Sequence, residues 1–199
     1  MLEQGKNKTI ITGNYNSQIQ KEYNQENNNV IDILKNEDLA IFNAIPTAEG
    51  AIKIAIENKN TTLHNSNCLI MGYGKIGKIL SKMLYGMGAK VYCEARKSED
   101  VAFIESLGYN SILLDDLENH LNKFDYIFNT IPYCILNKNK LELIKKDCLI
   151  IELASKPGGI DYEEAEKMNI NVICAPGLPG KIAPKTSAEY IYYQIKKIL

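Results

Sequence analysis

Short apolar runs alternate along the chain with longer segments in which apolar residues recur every three or four positions. Consecutive apolar positions predict strands buried on both faces, whereas the helical spacing predicts helices that pack on one side. The predicted strands cover residues 68–71, 90–93, 111–114, 124–128, 148–151 and 171–174. The predicted helices that follow the second strand cover residues 98–107, 115–122, 141–145, 161–168 and 188–198. This alternation predicts an α/β fold with a doubly wound parallel sheet in the strand order 3-2-1-4-5-6.

The pattern before the first of these strands is weaker. A stretch rich in Asn, Gln and Gly, residues 13–29, predicts a loop or a frayed helix. Around it we expect the end of a strand at residues 9–13, a short helix at 30–34 and a strand or extended connection at 39–42. A longer helix is predicted over residues 46–58, because proline suits the first turn of a helix.

Three glycines stand where the first strand of the sheet gives way to the next helical pattern, in the sequence GYGKIG at residues 72–77. Gly72 permits a tight turn, Gly74 lets a pyrophosphate approach the backbone, and Gly77 lets the helix lie close to the strand. The free N–H groups at the start of the helix attract phosphate. The motif therefore predicts a Rossmann-type NAD(P)-binding domain. The expected cofactor-binding residues in it are Gly72, Tyr73, Gly74, Lys75, Ile76 and Gly77.

The second nucleotide contact is expected at the end of the next strand. The position that usually carries the ribose-binding acid falls on Ala95, between Glu94 and Arg96. A small residue followed by arginine leaves room and positive charge for the 2′-phosphate of NADP. We therefore favour NADP over NAD, with Ala95 and Arg96 as cofactor-binding residues. A shift by one residue would instead make Glu94 the acid that binds the ribose of NAD.

Composition and charge exclude several classes of function. The formal net charge is −1, which does not suggest a nucleic-acid or membrane surface. Five cysteines without a CxxC pair and only two histidines argue against a metal site. Because the first residues lack the apolar core of a signal peptide, we expect a cytoplasmic protein.

Three segments follow the carboxyl ends of predicted strands, where ligands bind in such sheets: residues 129–132, 154–159 and 175–187. All three are predicted to be loops, and the last is too stiff for a flexible linker, so it is predicted to be a shaped loop. Their lysines are candidates for binding a carboxylate substrate, and these are Lys156, Lys181 and Lys185. Asn129 and Thr130 are expected beside the nicotinamide ribose. The spacing of titratable residues names no general base.

Several longer motifs extend this interpretation: NAIPTAEGAI (43–52), GYGKIG (72–77), EAR (94–96), NTIP (129–132), ELASKPGG (152–159) and APGLPGKIAPKT (175–186). With them, the chain resembles the A-subunit family of dipicolinate synthases over about residues 8–199, a family whose fold is similar to that of 2-hydroxyacid dehydrogenases. The resemblance implies that residues 1–42 are a partly flexible remnant of an N-terminal domain that is otherwise largely missing. Residues 43–199 would then form the nucleotide-binding domain, including an inter-domain helix at 46–58.

The resemblance also implies a reaction, which is the NADP-dependent oxidation of a dihydrodipicolinate precursor to dipicolinate in the mother cell during sporulation. A flavoprotein-like B subunit is the implied partner, and the substrate is a small dicarboxylate. The implied catalytic residues are Glu49 as proton acceptor, Lys156 and Lys185. Further implied contacts are Pro46 and Thr47 at the inter-domain cleft, and Asn129, Thr130, Ile131, Pro132 and Ser155 around the nicotinamide.

Two other functions stay open. One is a general NAD(P)-dependent 2-hydroxyacid dehydrogenase, which usually needs an arginine and a histidine that these loops do not offer. The other is a non-catalytic fragment that binds a nucleotide or docks to a partner protein. Whether this short chain is active alone, and whether it forms a homo-oligomer, cannot be read from the sequence.

Overall fold

A computed structural model describes residues 8–13 and 28–199, which fall into two compact units. The first unit comprises the residues up to Asn43 together with Pro184–Leu199, and the second is Ala44–Ala183. The closing helix was predicted as part of the nucleotide-binding domain. By its internal contacts this helix groups with the first unit instead.

The first unit holds a two-stranded parallel sheet of β1 (Thr9–Thr12) and β2 (Asn29–Asp32). A 3-10 helix (Ile33–Lys35) follows β2, with the Asp32 carboxylate accepting the N–H of Leu34 at 3.0 Å. The prediction of a helix at 30–34 is therefore wrong for its first residues, because they pair with β1. The predicted loop at 13–29 lies mostly outside the described residues.

Helix α1 (Glu37–Glu57) runs from the first unit into the second. The Asn36 side chain accepts the N–H of Leu39 at 2.8 Å and so caps the helix well before Pro46. The predictions of a strand at 39–42 and of a helix start at 46 are thus wrong. Ala48, Ala51 and Ala55 are fully buried in the second unit. By length and composition α1 could also cross a membrane, a property that it shares with buried core helices.

The second unit is built on a six-stranded parallel sheet in the order β5-β4-β3-β6-β7-β8. The predicted order 3-2-1-4-5-6 is confirmed, counting from β3. The strands are β3 (Asn67–Met71), β4 (Lys90–Ala95), β5 (Asn110–Leu113), β6 (Tyr126–Asn129), β7 (Leu149–Glu152) and β8 (Asn171–Cys174).

Helices cover both faces of this sheet, and one apolar cluster fills each face. Their bounds are α2 (Lys75–Gly86), α3 (Ser98–Ser106), a 3-10 helix (Leu114–Lys123), α4 (Lys138–Glu142), α5 (Tyr162–Lys167) and α6 (Leu178–Ile182), with α7 (Pro184–Ile198) in the first unit. The prediction of a loop at 175–187 is correct for the first three residues and Ala183 but wrong for the others, which are helical. Gly177 turns the chain with a φ of 67° and Pro179 stands in the first turn of α6, so the proline and glycine there start a helix.

Candidate functional site

The turn between β3 and α2 can accept only glycine at its first position. Gly72 has a φ of 89°, and an added Cβ would lie 2.6 Å from Thr130 Oγ1 and 2.9 Å from Ile131 Cγ1. Thr130 is fixed there because its hydroxyl donates to the Met71 carbonyl at 2.8 Å. The end of β6 therefore packs directly on the glycine turn.

The other two glycines of the motif have the roles that their spacing predicts. An added Cβ at Gly77 would overlap the Gly72 carbonyl oxygen, so Gly77 allows α2 to lie against the turn. Around Gly74 no heavy atom of the described residues lies within 4 Å of such a Cβ, so the backbone there is open to a ligand. Gly74 is also the N-cap of α2, and its carbonyl accepts the first helical hydrogen bond from Lys78 at 2.9 Å.

The start of α2 is suited to bind a phosphate. Lys75, Ile76 and Gly77 form its first turn. The first hydrogen bond of the helix is donated by the next residue, Lys78, so these three N–H groups lie at the end of the helix. These amides carry the positive end of the helix dipole, and Gly74 brings no side chain that would compete for them. This end of the helix can therefore bind a phosphate group.

A cavity of about 320 Å³ opens beside the turn. Eight predicted cofactor-binding residues line it together, namely Gly72, Tyr73, Gly74, Ala95, Arg96, Thr130, Ile131 and Pro132. The structure thus brings the ends of β3, β4 and β6 to one cavity, as expected where the strand order of the sheet reverses.

Four further residues line the cavity: Glu94, which was the alternative prediction for the ribose-binding acid, and Lys97, Asp100 and Tyr133, which were not predicted. The guanidinium carbon of Arg96 lies 5.5 Å from the ring centroid of Tyr133, which is a cation–π distance. A planar base can stack on such a pair. Tyr133 follows the NTIP motif directly, so its place next to a predicted loop is the only sequence signal that could have found it.

Arg96 and Glu94 differ in how they meet the cavity. Arg96 is exposed, whereas Glu94 is only 1% exposed and its Oε2 accepts the Gly72 N–H at 3.0 Å. Burial raises the pKa of Glu94, and the opposing effects of the Gly72 N–H and of Arg96 are smaller. The guanidinium of Arg96 is thus accessible from the cavity, while the carboxyl group of Glu94 accepts a backbone N–H.

Asn129 has a different role from the predicted one. Its side chain is fully buried, and its amide group donates to the Ile131 carbonyl at 2.9 Å and to Glu152 Oε1 at 2.8 Å. Its Oδ1 accepts the Ile131 N–H at 3.2 Å. Asn129 therefore holds the conformation of the loop after β6, whose residues line the cavity. The predicted direct contact of Asn129 with a nicotinamide ribose does not fit its burial.

Ser155 and Lys156 lie on the loop that follows β7, outside the lining of this cavity, and both are exposed. Gly158, with a φ of 90°, and Gly159 end that loop. An added Cβ at Gly159 would overlap the amide nitrogen of Asn129. The loop is therefore packed closely onto the end of β6.

The remaining predicted site residues lie on helices. Pro46, Thr47 and Glu49 belong to the middle of α1, where Pro46 and Thr47 are buried and Glu49 is exposed. Lys185 is exposed near the start of α7, in the first unit. None of these four residues lines the cavity.

Comparison with known proteins identifies the second unit. A family model described as "D-isomer specific 2-hydroxyacid dehydrogenase, NAD binding domain" matches residues 47–157. The A subunit of dipicolinate synthase from Bacillus subtilis (strain 168) is 36% identical over 96% of this chain and 64% of its own length. Two solved structures agree over 96% of this chain. Dipicolinate synthase A from B. subtilis has 35% identity and a TM-score of 0.92, and its counterpart from Bacillus halodurans has 33% identity and a TM-score of 0.91.

The chain spans about two thirds of the length of these relatives, with 64% of the B. subtilis structure and 65% of the B. halodurans structure covered. The residues of this chain that the family model matches include the glycine turn, the lining of the cavity and most of the loop after β7.

Proposed function

The chain belongs to the D-isomer specific 2-hydroxyacid dehydrogenase family by its NAD-binding domain, and on this premise we propose that it acts as the A subunit of a dipicolinate synthase. A domain of this family binds a nicotinamide cofactor and serves NAD(P)-dependent oxidoreductases. The similarity to two dipicolinate synthase A subunits over nearly the whole chain supports the narrower assignment.

The observation that carries the proposal is the cavity formed by the glycine turn, Arg96 and the residues after β6. Its floor offers open backbone at Gly74 and the start of a helix, which suit a diphosphate. The Arg96 and Tyr133 pair suits an adenine at one side. A dinucleotide is the ligand that would use both parts.

NADP is the preferred cofactor in this proposal. Arg96 and the neighbouring Lys97 are both exposed at the cavity and can pair with a 2′-phosphate. The carboxyl group of Glu94 is held by Gly72 and is nearly inaccessible, which argues against its use as the ribose acid of an NAD enzyme.

The proposed reaction removes a hydride and a proton from a dihydropyridine-2,6-dicarboxylate, and the ring becomes aromatic. The nicotinamide, when bound, supplies the hydride acceptor. The chain's own residues bind and orient the dianion, for which Lys156, Lys185 and the hydroxyl of Ser155 are the proposed donors. Glu49 is the proposed acceptor of the proton.

A flavoprotein-like B subunit is the proposed partner, and the proposed setting is the cytoplasm of the mother cell during sporulation. These assignments rest on the similarity to the A subunit of dipicolinate synthase. Because the chain spans about two thirds of those relatives, a nucleotide-binding or docking role without turnover is the second candidate.

The test is the formation of pyridine-2,6-dicarboxylate, followed by its absorbance, from the dihydropyridine precursor and NADP, with and without the B subunit. Product formed in either mixture supports the proposal, provided that omission of NADP abolishes it. Binding of NADP without product in both mixtures would favour the docking role, and no binding of NADP or NAD would refute the dehydrogenase assignment.

A further inference from the structure

The carboxyl group of Glu152, at the end of β7, is surrounded by hydrogen-bond donors. Its Oε1 accepts from Asn129 Nδ2 at 2.8 Å and from the Ala154 N–H at 3.0 Å. Its Oε2 accepts from the Gly159 N–H at 2.9 Å and, at 3.5 Å, lies near the hydroxyl of Tyr162. The side chain is only 3% exposed. A buried carboxylate with this many donors makes strong, charge-assisted hydrogen bonds.

Two of these donors, Ala154 and Gly159, flank the segment that carries Ser155 and Lys156. The loop thus has both of its ends attached to one carboxyl group. A loop whose ends are fixed in this way holds its tip in a narrow range of positions, and the tip carries the proposed substrate donors.

The third donor connects Glu152 to the cavity. Asn129 bonds Glu152 with one amide hydrogen and the Ile131 carbonyl with the other, and Ile131 lines the cavity. The two loops are also joined by their backbones, because the Gly159 carbonyl accepts the N–H groups of Ile135 and Leu136 at 3.0 Å. The cavity loop and the loop after β7 are thus one connected piece.

We propose that Glu152 is a positioning residue that holds the Ser155–Lys156 loop in register with the dinucleotide cavity. It acts through the backbone amides of Ala154 and Gly159 and through the side chain of Asn129. This inference rests on the proposed function, since it assigns the loop to a dicarboxylate.

Glutamine at this position would keep the shape of the side chain but would replace one acceptor oxygen by an amide donor. That donor would face either Asn129 and Ala154 or Gly159, which are donors themselves, so one end of the loop must detach. Aspartate keeps both acceptor oxygens on a side chain shorter by one methylene. The aspartate variant should therefore retain part of the loop anchoring that the glutamine variant loses.

The experiment titrates pyridine-2,6-dicarboxylate by calorimetry into the full chain saturated with NADP. Variants are Glu152→Gln, Glu152→Asp and, as a matched carboxylate-to-amide control, Glu164→Gln on neighbouring α5. We expect Glu152→Gln to weaken dicarboxylate binding roughly tenfold, Glu152→Asp to weaken it less, and Glu164→Gln to bind as the parent does. The increase in melting temperature caused by NADP should stay the same in all four proteins.

Two binding results would overturn the inference: parent-like dicarboxylate binding in Glu152→Gln, or an equal loss of NADP and dicarboxylate binding, which would indicate a general structural defect. Amide hydrogen exchange gives a reading that needs no ligand. In Glu152→Gln the amides of Ala154 and Gly159 should lose protection while those of β7 keep theirs, and unchanged protection would also overturn the inference. A parent chain that binds NADP but no dicarboxylate, while this exchange difference persists, would refute the proposed substrate and leave the anchoring role of Glu152 standing.

Discussion

The carboxyl group of Glu94 accepts the backbone N–H of Gly72, with 3.0 Å between Glu94 Oε2 and the Gly72 nitrogen. The other oxygen, Oε1, is buried without a hydrogen-bond partner among the described residues. Burial raises the pKa of this carboxyl group above its usual value, and the Gly72 N–H and the charge of Arg96 only partly oppose the effect. The first glycine of the turn is thus held by a side chain for which ionisation is costly.

Glu94→Gln should therefore stabilise the fold at neutral pH. When folding raises the pKa of a carboxyl group, the folded state loses stability as the pH rises through that folded pKa. This loss is absent below the unfolded value of about 4. Glutamine can still accept the Gly72 N–H and does not titrate. We expect a gain of about 1 kcal/mol at pH 8 that disappears near pH 4, measured by denaturant unfolding.

Glu166→Gln, on the exposed side of α5, serves as the control for loss of a negative charge. A lower stability of Glu94→Gln than of the parent at pH 8 would mean that the ionised carboxylate supports the turn.

Arg96→Ala should weaken NADP binding selectively. Its guanidinium is the proposed partner of the 2′-phosphate, and a hydrogen bond to a charged group contributes enough to change affinity by about tenfold or more. NAD affinity should change little, so the ratio of the two dissociation constants from calorimetry is the measurement. Lys82→Ala, which removes an exposed cation from α2, should leave both affinities unchanged. Equal affinities for NADP and NAD in the parent would contradict the assignment to Arg96.

Gly77→Ala should abolish dinucleotide binding or unfold the second unit. Its Cβ would overlap the Gly72 carbonyl, and neither the turn nor α2 can move without separating from the other. We expect a loss of about 2 kcal/mol or more in unfolding free energy. Gly86→Ala is the matched control, because no described atom lies within 4 Å of its added Cβ and alanine is the better helix former. A Gly77→Ala protein as stable as the parent would show that α2 lies less close to the turn.

The sheet and the glycine turn were predictable because both depend on local patterns: continuous apolar runs and glycines at fixed spacing. The start of α1 was predicted at Pro46 instead of Glu37, since proline is a strong signal for a first turn and Asn36 is only one of many asparagines in that region. Glu152 was missed altogether. Its hydrogen bond to Asn129 forms only because the strand register sets the two residues opposite each other, and the register is not visible in one sequence.

Asp125→Asn should reduce stability at neutral pH but not in acid. Burial alone would raise the pKa of Asp125, yet hydrogen bonds from Lys145 Nζ at 2.8 Å and the Asn67 N–H at 2.7 Å outweigh it and lower the pKa. A lowered pKa stabilises the fold above the unfolded value of about 4 and ceases to do so as pH falls through the folded value.

We expect the asparagine variant to lose about 1 kcal/mol at pH 7 and to match the parent once the pH has fallen below the folded pKa of Asp125, as followed by urea unfolding. Asp147→Asn is the control, because that carboxylate is 73% exposed and lies 3.8 Å from Lys59. A constant difference between Asp125→Asn and the parent at every pH would contradict the role of charge.

Lys156→Met should weaken the binding of a pyridine dicarboxylate to the NADP-saturated chain. Methionine keeps the length and apolar character of the stem, so the change removes mainly the charge, and the expected loss is about tenfold. If Lys156 binds one of the two carboxylates, Lys156→Met should reduce the affinity for pyridine-2-carboxylate less than the affinity for the dicarboxylate. The monocarboxylate can turn its single charge to other donors. Lys181→Met, which removes an exposed cation from α6, tests whether any other cation of this unit suffices. Equal losses from the two variants would mean that the site attracts anions through its overall charge, and Lys156 would then have no specific part in recognition.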